Sequence, residues 1–255
     1  MPETFVKLHN PPIVEAVLDI ECDLPPSFDI SKLESRAKKE FEKKYPKFEK
    51  QFIQQHEIRK EADDEVPKVS PGGISIQALQ FFKNDRKQLV QLRNNGFSFN
   101  RLAPYTTLDD YLPQIKSAWN TYIEIVSPIQ VRMIRLRYVN RFLLPFEGKS
   151  MRLEEYFKNS PQLPDEKNLV FLSFVNQYSA VERETGHQVI SLLTTQPPEN
   201  SELPIIFDNS GIAHVNMEPQ NWKEIRAKIL QLRDLKNNIF WNTLTEKCLN
   251  QFQQQ

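Results

Sequence analysis

The sequence predicts an α+β protein built on antiparallel sheet, and three observations carry that prediction. Strand-like runs follow one another without intervening helices, so turns rather than helical crossovers join neighbouring strands. The longest helical patterns close each half of the chain, at residues 108–126 and 221–252. Both halves read strand, helix, several strands, long helix, and they join at Ser127-Pro128. The chain therefore divides into halves at 1–128 and 129–255, either as two units or as one continuous domain. The expected architecture is a curved antiparallel sheet with both long helices packed on one side. The element order matches duplicated halves of the helix-grip or TATA-binding-protein-like kind. No residue identity links the halves, so duplication rests on element order alone, and likeness of fold implies no function.

In the first half, Val14, Ala16, Leu18 and Ile20 alternate with acidic residues over 13–22, the period of a half-buried strand. Pro11-Pro12 and Pro25-Pro26 bracket it. A helix over 32–45 follows, with Ser31 as N-cap, Glu34 completing a capping box, an apolar stripe of Ile30, Leu33, Ala37 and Phe41, and Pro46 as its stop. The charged run 38–50 reads as a solvated face. Between 51 and 69 only a strand near 52–59 and an exposed acidic loop at Asp63-Asp64-Glu65 are legible. Gly72-Gly73 reads as a turn. Strands are expected over 74–82, 88–93 and 97–102, with hairpin turns at Asn84-Asp85 and Asn94-Asn95-Gly96. Leu108, Tyr111, Leu112, Ile115, Trp119 and Tyr122 recur at helical spacing to Val126.

In the second half a strong strand runs over 131–144, then a short helix over 153–157. Strands follow over 169–180, 188–196 and 205–216, the last expected to fold back at Asp208-Asn209-Ser210-Gly211. The closing helix carries a stripe of Trp222, Ile225, Ile229, Leu232, Ile239, Phe240, Thr243 and Leu244.

Composition excludes several function classes. The 33 basic and 33 acidic residues cancel, which disfavours nucleic acid or an anionic membrane as a partner held by bulk positive charge. Two cysteines exclude a disulfide scaffold and a four-cysteine zinc site. No run of 18 apolar residues exists, so no transmembrane helix is expected. The first ten residues lack the apolar run of a signal peptide, and a cytoplasmic protein is expected. Only six glycines occur, with no GxGxxG, Walker A, GxSxG, HExxH or kinase signature. No cofactor, no metal site and no catalytic residue is therefore assigned. His9, His56, His187 and His214 stand at no ligand spacing, and Cys22 and Cys248 read as small buried hydrophobes.

The most distinctive feature is the strand over 131–144. Ile134, Leu136, Tyr138 and Phe142 share one face, and Arg135, Arg137 and Arg141 share the other. Three arginines spaced two apart can bind phosphate or carboxylate on an open sheet face. The competing reading is internal pairing with the acidic face of the first strand, Glu15 and Asp19 foremost, and equal charge numbers favour it. Asn100 and Arg101, in Phe97-Ser98-Phe99-Asn100-Arg101-Leu102, join the candidate anion-binding set, against a reading with Phe97 and Phe99 in the core and Arg101 at its rim. Trp241, about 100° round the last helix from Phe240, is a candidate interface anchor.

Pro11-Pro12-Ile13-Val14-Glu15-Ala16, Phe97–Leu102 followed by Pro104-Tyr105, and Leu136-Arg137-Tyr138-Val139-Asn140-Arg141 occur in a characteristic order, completed by Ile239-Phe240-Trp241 with Leu244-Thr245. Together they resemble a sporadically distributed family of uncharacterised bacterial proteins of about this length. The resemblance implies an accessory role, linked to phage defence or mobile elements, and brings no activity or site residue with it. The expected function is a non-enzymatic module binding a protein partner or a small ligand, with a homodimer among the expected assemblies. The alternatives are a helix-grip small-molecule binder, with its ligand between sheet and long helix, and a nucleotide or nucleic-acid binder or enzyme using the arginine strand.

Overall fold

Pro12 ends the entry segment, and the next residue begins β1 (Ile13–Asp23), which is buried on both faces over Ala16–Ile20 because strands flank it on either side and side chains cover both. The structure, a computed structural model, describes residues 8–59, 68–145, 152–162, 168–169 and 172–253, with side chains undescribed over 55–72. The acidic loop expected at 63–65, the extreme N-terminus and part of the strand expected from 169 lie outside these residues.

After β1, a 3-10 turn at Ile30–Leu33 leads into α1 (Glu34–Phe41). The cap is Asp29, whose carboxylate accepts from the Ser31 amide at 3.0 Å, rather than the expected Ser31. Glu34 instead holds Lys38 and Lys50 at 2.7 and 2.6 Å, so the charged run is a surface lattice. β2 (Lys47–Arg59) and β3 (Lys68–Phe82) form a long hairpin. The glycine pair expected as a turn runs inside β3. Among the described residues β3 pairs with β4 only from Ala78 onwards, so the stretch that holds Pro71 and the glycine pair lies on the β2 ladder alone.

β4 (Gln88–Arg93), β5 (Gly96–Leu102) and α2 (Leu108–Val126) keep their expected bounds to within a residue. Thr107 and Asp110 cap α2 reciprocally, a capping box, and Ser127 ends it in the left-handed region at φ 53°. Gly96 is required at its turn. Its φ is 151°, and a Cβ there would sit 2.1 Å from the Ile20 carbonyl oxygen.

β6 (Gln130–Pro145), a 3-10 turn at Leu153–Glu155, β7 (Val175–Val181), β8 (Gln188–Thr195) and β9 (Glu202–Met217) follow. β9 is one unbroken strand, so the fold-back expected at 208–211 does not form. Three of those four residues have partners that need the strand: Asp208 pairs with Arg137, Asn209 bonds α3, and Gly211 lets Leu232 approach, where a Cβ would stand 3.3 Å away. The last helix is likewise two, α3 (Trp222–Thr243) and α4 (Glu246–Asn250), parted where Leu244 turns extended and Thr245 caps α4.

Among the described residues all strand pairs are antiparallel, in a single open, curved nine-stranded sheet of order β2-β3-β4-β5-β1-β6-β9-β8-β7. The first strands of the two halves meet at its centre, and each has the last strand of its own half on its other side. Leu18, Ile20, Ile134 and Leu136 face α2 residues Ile115 and Trp119 and α3 residues Ile225, Ile229 and Leu232 in one core. Both long helices therefore lie on one side of the sheet. A second core of Phe142, Phe157, Leu193, Phe207, Phe240 and Cys248 lies on that same side. Cys22 and Cys248 are both buried thiols.

Candidate functional site

The arginine strand is internally paired on the side of the sheet away from the helices. Arg135 lies opposite Asp19 in the β1–β6 register and donates to its Oδ2 from Nε at 2.9 Å and Nη2 at 2.6 Å. Arg137 pairs with Asp208 across β9 at 2.5 Å, not with Glu15, whose strand position faces Val139. Glu15 accepts from Asn100 at 2.9 Å. Arg141 reaches Glu199 at 2.6 Å. Arg101 stands on the opposite, helix-side face, over the Tyr111 ring and donating to the Pro104 carbonyl at 3.2 Å. Phe97 and Phe99 are in the core, as the rim reading of Arg101 expects. The five candidate anion-binding residues are thus split between two faces, and four of them, all but Arg101, already hold carboxylates.

The chemistry collects on the helix side, where the two cores part. On that seam Asn140, Ser191 and Asn209 are buried polar residues, 1–2% exposed. Asn140 donates to the Phe207 carbonyl at 3.1 Å and Asn209 to the Lys236 carbonyl at 3.0 Å. Burial requires such partners, because an unpaired amide out of water loses its hydration for nothing. The seam opens into a cleft of about 480 Å³ between the N-terminal segment around Pro12, the loop entering α2, strand β6 and helix α3.

Lys236 forms one wall of this cleft. It occupies the buried stripe of α3, one turn after Leu232 and one before Phe240, and is 8% exposed. Its Nζ lies 3.5 Å from the centre of the Tyr138 ring. Among the described residues no carboxylate is in ion-pair reach of it. A ring face stabilises an ammonium, but less than the water and counter-charge that burial removes. Burial first, and the Arg233 guanidinium second, bring its pKa down to about 7. The Tyr138 hydroxyl is 2.6 Å from that of Tyr105, and burial raises both phenols, Tyr138 to about 12, so both keep their protons at neutral pH. Arg233 crosses to Asp109 in the first turn of α2 at 3.2 Å, tying the two long helices together at the cleft.

No family model, curated protein or solved structure matches this chain.

Trp241 lines the same cleft, edge-on to Phe240 with ring centres 5.9 Å apart, and packs against the second core. The structure thus places the residue read from the sequence as a candidate interface anchor on an aromatic wall of the cleft. Lys236 is missing from the stripe read from the sequence, which runs from Trp222 to Leu244 without it. Its spacing, four after Leu232 and four before Phe240, was the available signal. Among the described residues no group of three His, Cys, Asp or Glu side chains could hold a metal ion, and no helix is long and apolar enough to cross a membrane.

Proposed function

We propose that the protein is a binding module for a small anionic ligand with a flat apolar body, held in the cleft between β6 and α3. One observation carries this reading: a buried lysine, without a counter-ion among the described residues, lines an open cleft. An anion entering the cleft supplies the missing charge at Lys236, in surroundings of low dielectric where the attraction is strong. Trp241, Phe240 and Tyr105 offer ring surface for the apolar body, a mix of apolar walls and few polar groups that suits a ligand pocket. The placement between sheet and long helix is that of a helix-grip binder, and the repeated element order supports duplicated halves of that kind. The resemblance to a sporadically distributed bacterial family supports an accessory role for such a module, in the cytoplasm and in phage defence or mobile-element conflict. The paired state of Arg135, Arg137 and Arg141 favours this cleft over the arginine face as the place of binding.

The test is calorimetric titration and thermal shift with a panel of aromatic carboxylates and phosphates. At about 100 times Kd a ligand adds roughly 2.7 kcal/mol to stability. The expected result is a saturable rise in Tm for at least one such anion, abolished by Lys236→Met and kept by Arg137→Met. A panel that binds equally well to Lys236→Met would overturn the assignment of the cleft.

A further inference from the structure

We propose that Lys236 captures carbonyl compounds as a reversible imine, the cleft ligand being an aldehyde or ketone that also carries an anionic group. This inference rests on the cleft reading above and deepens it. An amine becomes a nucleophile when it is desolvated, lacks a carboxylate partner and can be reached by its electrophile. Lys236 meets all three conditions: it is 8% exposed, has no carboxylate within reach among the described residues, and borders a cleft of about 480 Å³.

The groups around it fit the chemistry. From β6, Tyr138 places its ring 3.5 Å under Nζ; from the loop before α2, Tyr105 contributes the second hydroxyl of the pair. From its own helix Arg233 adds positive charge, and Asp109 of α2 is engaged by Arg233 rather than by Lys236. With a pKa of about 7, roughly half of the amine is neutral at pH 7, against roughly one in 3,000 for a lysine at its ordinary value. The lone pair of the neutral amine forms the C–N bond while the carbonyl π pair moves to oxygen. That oxygen takes a proton, for which the protonated tyrosine pair at the edge of the same ring is a donor. The nitrogen gives up one proton to replace the one the oxygen took, and its second proton leaves with the carbinolamine hydroxyl as water, so that C=N remains. One amine and one carbonyl give one imine and one water, with no oxidant or reductant.

The probe is pyridoxal 5′-phosphate, incubated with the full chain at pH 7 and trapped with cyanoborohydride, followed by peptide mapping. Its alcohol analogue, pyridoxine 5′-phosphate, is titrated separately by calorimetry. The expected result is one dominant adduct on Lys236, formed at least about tenfold faster than on any other lysine, because the gain in neutral fraction outweighs the lower basicity. The adduct is absent from Lys236→Arg, which keeps the charge and is checked to melt like the wild type. Labelling spread over surface lysines with Lys236 unmodified overturns the inference. If the alcohol then still binds in a Lys236-dependent way, the cleft reading stands and only imine capture falls. If neither compound engages the cleft, both fall.

Discussion

Arg135 holds Asp19 through two hydrogen bonds to a single carboxylate oxygen, at 2.9 and 2.6 Å, across the junction where the two halves of the sheet meet. Asp19 is 2% exposed, and its other oxygen accepts from Ser98 at 2.5 Å on β5. One carboxylate thus ties three adjacent strands, β5, β1 and β6. Arg93 stands 3.7 Å from it on the same face, so two guanidiniums compensate the buried charge.

Removing that carboxylate strands both arginines. Asp19→Ala is expected to lower stability by about 3–5 kcal/mol, the range for breaking a buried pair by taking one partner. Adding Arg135→Met to it should recover part of the loss, because an uncompensated guanidinium is then gone. Urea unfolding of both variants and the wild type measures this. A loss below about 1 kcal/mol for Asp19→Ala would show that the pair behaves as a solvated surface bridge.

Two glycines should respond unequally to an added methyl. Gly96→Ala combines a φ of 151° with a Cβ placed 2.1 Å from a backbone oxygen, so backbone must move and a loss of roughly 2–4 kcal/mol is expected. Gly211→Ala meets the Leu232 side chain at 3.3 Å, which can shift, and the Leu232 carbonyl oxygen at 3.4 Å, an ordinary contact distance, and about 1 kcal/mol is expected. Comparable melting temperatures for the two variants would contradict the ranking.

These same residues show what the sequence can and cannot tell. Sharp punctuation made β4 and α2 legible: hairpin turns bound the first, a reciprocal cap and Ser127 the second. Alternation put Arg135 and Arg137 on the right face, but period two does not say which neighbouring strand supplies a partner. Hence Asp19 was found and Asp208 was not. Asp208–Gly211 has the composition of a turn, yet tertiary partners hold it in a central strand, overriding local preference. Lys236 was hidden for the converse reason: its charge argued for solvent, and only its position in the stripe argued for burial.

α3 should divide into a part that holds the fold and a part that serves the cleft. Ile229 and Leu232 are both fully buried, so either one changed to Ala should lose about 2–5 kcal/mol. Trp241→Ala should instead weaken ligand affinity by about tenfold or more while sedimentation stays that of the wild type. A change in sedimentation with affinity intact would return Trp241 to the role of interface anchor.

Lys236 makes stability depend on pH in a direction that can be worked out. Its pKa falls from 10.5 in the unfolded chain to about 7 in the folded one. Between those values the unfolded state binds the proton and the folded state does not, so stability rises with pH across that window. Below about pH 7 both states are protonated and the full penalty of burying the ammonium is felt; above about 10.5 both are neutral and it is gone. Other groups also titrate in this range, and the difference between wild type and Lys236→Met cancels those far from the cleft. Tyr138, whose ring lies under the amine, and its partner Tyr105 are held protonated by burial and contribute little below pH 10. Denaturant unfolding of the two proteins from pH 6 to 10 should therefore show wild type gaining on Lys236→Met by a few kcal/mol, with most of the change above pH 7. A difference that stays flat from pH 6 to 10 would mean that Lys236 keeps an ordinary pKa in the fold, and imine capture would lose its nucleophile with it.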